Sequence, residues 1–188
     1  MEILGNTINP NALIIGVFHG DERQGEFLIR EYLKKNDFTN ILFVPCLNSA
    51  NTRTNFNGVD LNRNFPTKNW ELTEKDMYFG GDFPASEKET QFIIDLVEKY
   101  SPKAILTLHA PYKIVNYDGP AEVLAKKISD IIGYPVEPSI GYPTPGSFGT
   151  WSGIEKQIPT ITLELDEEID IKKLEEPVFK IFELFEGI

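Results

Sequence analysis

The sequence contains very little cysteine, histidine or arginine. Among its 188 residues there are 1 cysteine, Cys46, 2 histidines and only four arginines. A single cysteine excludes an intramolecular disulfide, and it excludes the zinc sites that are built from several cysteines. We expect Cys46 to be a small apolar residue buried in a strand.

Long apolar runs and an excess of positive charge are also missing. No window reaches the ~18 consecutive apolar residues of a membrane span, and the first residues lack the basic region of a secretion signal. The formal net charge of −11 repels nucleic-acid phosphates and anionic membranes. The composition therefore predicts a cytoplasmic protein with no nucleic-acid or membrane partner, and it leaves the oligomeric state unknown.

Apolar residues are plentiful enough for a folded core. Hydrophobic residues make up 41% of the chain and include 13 Phe, which is more apolar material than a disordered chain carries. The length falls in the usual range of ~100 to 200 residues for one domain. We therefore expect residues 1–188 to form a single domain.

Apolar runs alternate with segments of helical periodicity. Strands are predicted at 12–18, 41–46, 104–108, 114–117 and 160–165. Helices are predicted at 22–35, 86–100, 120–133, 152–157 and from 177 onward. Ser86 and Glu89 form a capping box, and Pro120 stands at a first helical position. The order strand, helix, strand predicts an α/β fold with parallel pairing through a right-handed crossover.

Two loops stand out between these elements. Residues 48–69 contain seven Asn and no apolar period, which is typical of a loop whose side chains bond nearby backbone. Loops of this length in a compact domain are usually functional or disordered. This loop contains Arg53 and Arg63, so we favour a function for it. A second loop, rich in Gly and Pro, is predicted at 138–149.

Both histidines follow predicted strands. His19 ends the first apolar run and is followed by Glu22 in the first turn of a helix, and His109 ends the run 104–108. The carboxyl ends of parallel strands meet at one edge of a sheet. Zinc commonly takes about three N and O ligands from a protein and keeps a position for water. These three residues are candidate ligands, and histidines held only by structural hydrogen bonds are the alternative.

Asn62 and Arg63 are candidates for binding a carboxylate. The planar guanidinium of arginine binds a carboxylate through two hydrogen bonds, and an adjacent amide adds donors. The alternative is a loop held together by its own Asn and Arg bonds. Glu164, inside an apolar strand, is a candidate general base. Its alternative is a solvated residue on the outer face of that strand.

Five features in order resemble the metallocarboxypeptidase family of carboxypeptidase A, and most closely its small bacterial murein tripeptide amidase branch. They are HGDE at 19–22, GVDLNRNFP at 58–66, the strand-ending His109, GYPTPGSFGTW at 141–151 and TITLEL at 160–165. The likeness extends from about Ala12 to Leu165. It implies a three-layer α/β fold with a mixed, mostly parallel sheet flanked by helices.

The resemblance also implies roles around a metal ion. His19, Glu22 and His109 would hold one Zn²⁺ ion. Glu164 would act as the general base of the reaction. Asp60 would orient the imidazole of His19, a task that fixes the tautomer of a metal ligand.

Further positions correspond to substrate contacts in the family. Asn62 and Arg63 would bind the free carboxylate of the residue that is released, and Arg53 would polarise the scissile carbonyl. Tyr142 would close over the substrate. Trp151 also falls on a family position, where we expect core packing.

Gly149 stands where family members set their side-chain preference. A glycine offers no charge to match a substrate, so recognition must come from neighbouring side chains. Tyr112, Thr144 and Ser147 are our candidates.

The implied activity is zinc-dependent hydrolysis of the amide bond to a C-terminal residue, in a small peptide with a free carboxylate. The branch points to the γ-D-glutamyl-diaminopimelate bond of murein tripeptide during cell-wall recycling. One alternative is a zinc deacylase of the aspartoacylase or desuccinylase type, acting on N-acyl amino acids; GYPTPGSFGTW at 141–151 argues against it. Another is a non-catalytic module that binds peptide termini, which the intact ligand set disfavours.

Overall fold

The computed structural model describes residues 1–36, 39–138 and 141–188, which contain a seven-stranded sheet. The strands are β1 (Leu4–Gly5), β2 (Ala12–Gly16), β3 (Ile41–Val44), β4 (Ala104–His109), β5 (Ile114–Asp118), β6 (Val136–Glu137) and β7 (Thr160–Glu164). Their order across the sheet is β1, β3, β2, β4, β7, β5, β6. Strands β3, β2, β4 and β7 are parallel, β1 and β5 are antiparallel to β3 and β7, and β6 is parallel to β5. The sheet is mixed and mostly parallel, as expected.

Helices and loops cover both faces of this sheet. The helices are α1 (Gln24–Lys35), α2 (Lys88–Tyr100), α3 (Glu122–Ile132) and α4 (Lys172–Glu186), with a 3-10 turn at Leu61–Arg63 and a π-helical turn at Thr150–Glu155. On one face, α1, α3 and α4 bury Leu28, Ile128 and Phe182. On the other, α2 buries Ile93 in a cluster that includes the loop residue Phe65. The three-layer α/β fold is confirmed. No helix among the described residues is long and apolar enough to cross a membrane.

The strand register brings distant candidate residues together. β2, β4 and β7 are adjacent and parallel, so their carboxyl ends meet at one edge of the sheet. His109 and Glu164, the last residues of β4 and β7, are paired directly. Paired residues project their side chains from the same face of a sheet. The carboxyl edge therefore places a candidate metal ligand beside the candidate base.

Helix α1 lies unusually close to the end of β2. A Cβ atom added to Gly16 would lie 2.4 Å from the carbonyl oxygen of Pro45 and 3.1 Å from the carbonyl carbon of Gly25 in α1. Real Cβ atoms do not approach a backbone oxygen this closely, because van der Waals contact begins about 1 Å further out. The absence of a side chain at Gly16 thus allows helix and strand to pack backbone to backbone.

Two boundaries near the candidate site differ from their predictions. The strand predicted at 12–18 ends at Gly16, since Val17 adopts a φ of 54° and turns the chain out of the sheet. Helix α1 begins at Gln24, so Glu22 precedes the helix instead of lying in its first turn. The turn between β2 and α1 therefore contains both Val17 and Glu22. It is longer at each end than the sequence pattern predicted.

The starts predicted for two later helices are wrong. Glu87 is the N-cap of α2, and no side chain caps this helix. Ser86, predicted to cap it with Glu89, instead donates its hydroxyl hydrogen to Glu87 at 2.7 Å and accepts a hydrogen bond from Asn64 at 3.0 Å. The loop therefore uses the hydroxyl group that the capping box requires. Pro120 precedes α3, whose N-cap is Ala121.

Cys46 is not the strand residue that we expected. β3 ends at Val44, and Cys46 follows it in a partly exposed position. Its sulfur accepts a hydrogen bond from Arg23 at 3.2 Å and donates one to the carbonyl oxygen of Asn48 at 3.3 Å. The polar neighbours explain why this thiol lies outside the apolar core. In the loop predicted at 138–149, residues 139 and 140 lie outside the described residues.

Candidate active site

His19, Glu22 and His109 form a cluster at the carboxyl edge of the sheet. The backbone N–H of Asn48 donates to the carbonyl oxygen of Val17 at 2.8 Å and holds the turn that carries His19 and Glu22. Nδ1 of His19 lies 2.7 Å from one carboxylate oxygen of Glu22, and Nδ1 of His109 lies 3.1 Å from the other. The structure thus brings the three predicted ligands together.

The donor atoms of this cluster fit a zinc ion. One atom from each of the three residues lies within 4.8 Å of the others. Zinc bonds of about 2.0–2.1 Å in tetrahedral geometry separate the ligand atoms by roughly 3.3 Å, which is close to the observed contacts. Two imidazole nitrogens and a carboxylate are also a ligand set that zinc uses in catalytic sites. The cluster is a candidate metal site.

Asp60 links the cluster to the long loop. This fully buried residue caps the 3-10 turn by accepting a hydrogen bond from the backbone N–H of Asn62 at 2.9 Å. One carboxylate oxygen lies 3.2 Å from Nε2 of His19. The other accepts hydrogen bonds from Nε and Nη2 of Arg53, at 3.0 and 2.9 Å. Asp60 therefore fixes the ring of His19 and holds Arg53 beside the site.

These contacts shift the pKa values of the cluster. Burial lowers the pKa of His19, but hydrogen bonds to Asp60 and Glu22 outweigh burial and raise it to about 9. Burial raises the pKa of Glu22, but hydrogen bonds from His109 and His19 lower it to about 2. The pKa of Asp60 is held well below its usual range by His19, against the effect of burial. A metal ion at this candidate site would therefore have to displace a proton from His19.

Glu164 is buried beside the cluster. Its side chain is 6% exposed, and its Oε2 atom accepts no hydrogen bond from any of the described residues. Burial raises its pKa, while the nearby His109 opposes this shift. A buried carboxylate oxygen normally has a partner. Glu164 is thus not a solvated residue on the outer face of its strand. Its Oε2 atom is available to a water molecule or a substrate.

Asn62 and Arg63 have hydrogen-bond donors without an acceptor among the described residues. Asn62 Oδ1 accepts a hydrogen bond from the backbone N–H of Phe148 at 2.9 Å, which leaves its amide hydrogens without a partner among the described residues. Arg63 is only 6% exposed, and its Nη1 donates to the carbonyl oxygen of Asn62 at 2.7 Å. No carboxylate of the described residues pairs with it. The two side chains are prepared to bind an anion.

A cluster of aromatic side chains packs against His109. The ring of Phe18 stacks on His109, with centroids 5.4 Å apart and planes inclined by 20°. Phe65, Phe148 and Trp151 continue this cluster. Trp151 is 4% exposed, so it packs in the core as predicted. The packing limits the rotation of the His109 ring.

Two cavities meet at Tyr142. A cavity of about 120 Å³ lies next to Glu164, and one of about 380 Å³ lies next to Arg63. Tyr142 lines both cavities, and its side chain contacts that of Tyr112. The smaller cavity is lined by Asn62, Asn116, Asp118, Pro138, Tyr142, Thr144, Ser147, Gly149, Thr162 and Glu164. Both Asn62 and Glu164 line this cavity.

The lining of this cavity can be compared with the residues that we expected to set substrate specificity. Thr144, Ser147 and Gly149 line it as expected, whereas Tyr112 is 55% exposed and is not among the described residues that line it. Asp118 also lines it, although the sequence did not predict a role for this residue. The available signal was weak: β5 carries polar residues at alternate positions and ends with Asp118.

Comparisons with known proteins agree with this geometry. A profile of the zinc carboxypeptidase family matches residues 4–123. The murein peptide amidase A of Vibrio campbellii is 36% identical over 180 residues, which cover 84% of this chain and 70% of that protein. The murein peptide amidase A of Escherichia coli K12 is 32% identical over 159 residues, covering 75% of this chain and 65% of that protein. The chain thus spans between 65% and 70% of the length of these relatives.

Solved structures extend the likeness over nearly the whole chain. The crystal structure of the murein-tripeptide amidase from Escherichia coli O157 matches with a TM-score of 0.86 and 28% identity, covering 98% of this chain and 85% of that one. The carboxypeptidase A of Helicoverpa armigera matches with a TM-score of 0.73 and 15% identity, covering 95% of this chain and 61% of that one, and shows the shared fold. The protein therefore belongs to the zinc carboxypeptidase family, a family of hydrolases.

Proposed function

We propose that residues 1–188 form one catalytic domain that hydrolyses the amide bond to a C-terminal residue with a free carboxylate. The observation that carries this proposal is the direct pairing of His109 with Glu164 across β4 and β7. It puts a buried carboxylate with a free oxygen next to three clustered metal-ligand atoms. An activated water and a proton acceptor at one point are what amide hydrolysis requires.

In this proposal His19, Glu22 and His109 hold one zinc ion. When bound, zinc lowers the pKa of a water molecule and polarises a substrate carbonyl. Asp60 keeps the ring of His19 in the orientation that turns Nδ1 toward Glu22. Removing such a supporting carboxylate commonly costs about 10- to 100-fold in metal affinity or activity.

Glu164 carries the proton in both halves of the reaction. Its Oε2 accepts a proton from the attacking water and later donates it to the leaving amine. Burial raises the pKa of Glu164, which strengthens it as a base and keeps the accepted proton on the carboxyl group until the amine leaves. This single residue therefore serves first as general base and then as general acid.

Four polar side chains orient the substrate. Asn62 and Arg63 bind the terminal carboxylate and so restrict cleavage to the last amide bond. Nη1 of Arg53 has no hydrogen bond to the described residues and stabilises the negative charge that develops on the carbonyl oxygen. Tyr142, at the junction of the two cavities, covers the bound substrate. Removing a donor that stabilises such a developing charge, the role of Arg53 here, typically costs about 10² to 10³ in rate.

The relatives suggest a particular substrate. Two curated relatives are named murein peptide amidase A, and a matching crystal structure is that of a murein-tripeptide amidase. We infer that this chain cleaves the γ-D-glutamyl-diaminopimelate bond of murein tripeptide. The smaller cavity receives diaminopimelate, whose terminal carboxylate lies between Asn62, which lines this cavity, and Arg63, which lines the adjoining larger one. A cytoplasmic location, where cell-wall fragments are recycled, fits this proposal.

The direct test is an assay of the zinc-loaded protein on L-Ala-γ-D-Glu-diaminopimelate. We expect release of diaminopimelate, detected by chromatography. Glu164→Gln should lower kcat by about 10² to 10⁴ while the zinc content, measured by atomic emission, stays at one ion per chain. Glu98→Gln, which changes an exposed carboxylate on α2, is the matched control and should leave kcat unchanged.

Other results of this assay contradict the proposal. Hydrolysis of N-acyl amino acids in place of the tripeptide indicates a deacylase. Tripeptide binding without hydrolysis indicates a binding module. Near-normal turnover by Glu164→Gln removes that residue as the base.

A further inference from the structure

An acidic side chain that the mechanism does not use shares the smaller cavity with Glu164. β5 is antiparallel to β7, and Asn116 and Asp118 pair with Thr162 and Thr160. Alternate residues of a strand project from the same face, so Asp118 lies on the face that carries Glu164. The two are separated by four residues along the strands, roughly 14 Å at about 3.4 Å per residue.

Two glycines make room for the side chain of Asp118. A Cβ atom added to Gly149 would lie 2.0 Å from Oδ2 of Asp118, and one added to Gly153 would lie 2.4 Å from its Cβ. Gly153 belongs to the π-helical turn, and Gly149 immediately precedes it. The carboxylate of Asp118 therefore occupies the space that a side chain at position 149 would fill. Asp118, at the end of β5, thus provides the negative charge that Gly149 cannot provide.

The carboxylate of Asp118 has no compensating partner in the part of the chain that the structure describes. Among the described residues, no cationic group lies within ion-pair distance of it, and no hydrogen bond reaches it. Burial raises its pKa to about 6, with no other cause contributing. Asp118 and Glu164 are the charged side chains among the described residues that line the cavity. A half-buried carboxylate without a partner is unfavourable, and a cationic ligand removes this cost.

We propose that Asp118 binds the side-chain ammonium group of the terminal residue that the reaction releases. The inference rests on the proposed function, because Asn62 and Glu164 then fix the terminal carboxylate and the scissile amide of the substrate. The side chain of the terminal residue extends along the sheet face toward Asp118. This selects a long aliphatic side chain with an ammonium group at its end, as in lysine; in diaminopimelate the distal carbon carries an ammonium and a carboxylate, and the ammonium faces Asp118. Asp118 repels acidic side chains and stays unpaired with apolar ones.

The test compares three γ-D-glutamyl substrates that end in diaminopimelate, lysine or norleucine. Lysine and norleucine have side chains of similar length but differ in the ammonium group. We expect the wild type to favour lysine over norleucine in kcat/KM. Asp118→Asn should lower this ratio by about 30-fold or more, which is the usual effect of removing one partner of a buried charge pair. An unchanged ratio, or a wild type that does not distinguish the two, overturns the proposal.

Two further variants show whether the effect of Asp118→Asn depends on the position of its carboxylate or only on the loss of a negative charge near the cavity. Glu137→Gln removes a negative charge from the neighbouring strand β6 and should leave the ratio unchanged. Gly149→Ala should lower the ratio, because the added methyl group displaces the carboxylate of Asp118. Thermal unfolding reports on folding: we expect Asp118→Asn to unfold no earlier than the wild type at pH 7. A variant that unfolds earlier and loses activity equally on all three substrates has a structural residue at this position.

Binding measurements keep this inference distinct from the proposed function. Calorimetry on Glu164→Gln, or on the wild type if it turns over none of the substrates, gives the dissociation constants of the lysine and norleucine peptides. Tighter binding of the lysine peptide that Asp118→Asn abolishes supports the inference, even if hydrolysis fails. Equal binding of the two peptides contradicts it, even if hydrolysis succeeds.

Discussion

Arg63 is a buried cation whose charge the described residues do not balance. Its side chain is 6% exposed, and its hydrogen bond goes to a neutral backbone carbonyl. The nearby Asp60 already pairs with His19 and Arg53. A buried charge is tolerated when a partner neutralises it. The partner that fits this site is a carboxylate brought by the substrate.

Arg63→Ala should therefore act on substrates according to their terminal group. We expect kcat/KM to fall by about 10²-fold or more on peptides with a free carboxylate, because an ionic hydrogen-bonded contact commonly contributes about 2–5 kcal/mol. Peptides with an amidated terminus, which lack that contact, should lose far less. Steady-state kinetics on the matched pair of peptides measures the difference. Arg30→Ala, at an exposed site paired with Glu2 and Glu26, serves as the control.

Equal losses on the free and amidated peptides contradict a carboxylate-binding role for Arg63. A loss on both that accompanies a lower unfolding temperature indicates that this residue supports the loop.

Individual candidate residues could be predicted from the sequence where residue type and position coincided. His19 and His109 are the only histidines, and each follows an apolar strand, so their convergence with Glu22 was predictable. Asp118 was missed, because its role depends on contacts with Gly149 and Gly153. No local pattern indicates that two glycines in a distant loop close around one carboxylate.

At the level of elements, the contact between α1 and β2 positions the candidate metal ligands. Gly16 ends the strand, packs against the backbone of Gly25, and accepts a hydrogen bond from the N–H of Leu47 at 3.2 Å. The turn with His19 and Glu22 begins at the next residue. Any displacement at this point moves the ligands relative to His109 on β4.

Gly16→Ala should weaken both the fold and the metal site. The added methyl group collides with the carbonyl oxygen of Pro45, and such overpacking typically costs about 1–3 kcal/mol. We expect a lower unfolding temperature and a weaker affinity for zinc, measured by calorimetry and competition with a chelator. Gly133→Ala is the control, since Gly133 has a φ of 78° and open space around it. Its strain of about 1–2 kcal/mol should lower stability and leave zinc affinity unchanged. A zinc affinity of Gly16→Ala equal to that of the wild type contradicts this account.

The order of the elements was predictable, and their ends were not. Apolar periodicity located the strands of the carboxyl edge, but α2 begins without the predicted capping box because Ser86 bonds to Glu87 and Asn64. Likewise, Val17 leaves the sheet at a φ that β-branched residues rarely adopt. Tertiary hydrogen bonds determine where these elements begin and end, and the local sequence does not predict these bonds.

For the whole molecule, the candidate metal site joins segments that are far apart in the chain. His19 and Glu22 follow β2, and His109 ends β4. A metal ion that binds the folded chain and not the unfolded one stabilises it in proportion to its affinity and concentration. The whole fold should therefore respond to zinc.

Removal of zinc should lower the unfolding temperature, and the difference should grow with pH. The folded-state pKa of His19 is raised from 6.5 to about 9, so its ionic contacts stabilise the zinc-free fold fully below about pH 6.5. This contribution is lost as the pH rises through about 9, whereas zinc binding no longer has to displace a proton there. Scanning calorimetry with zinc and with a chelator, between pH 6.5 and 9.5, measures the difference. His109→Ala should reduce the response to zinc. A difference that is constant over this range contradicts the competition between proton and metal.

The carboxylate of Asp118 occupies the space that a side chain at position 149 would need. An acidic side chain can therefore stand at position 118 or at position 149, but not at both. An acid can enter the pocket from β5 or from the loop before the π-helical turn, but there is no volume for both. A change of electrostatic preference must therefore be made as a paired exchange: Gly149→Asp requires Asp118→Gly, and either replacement alone leaves a clash or a void. Selectivity in this pocket is a property of two coupled positions.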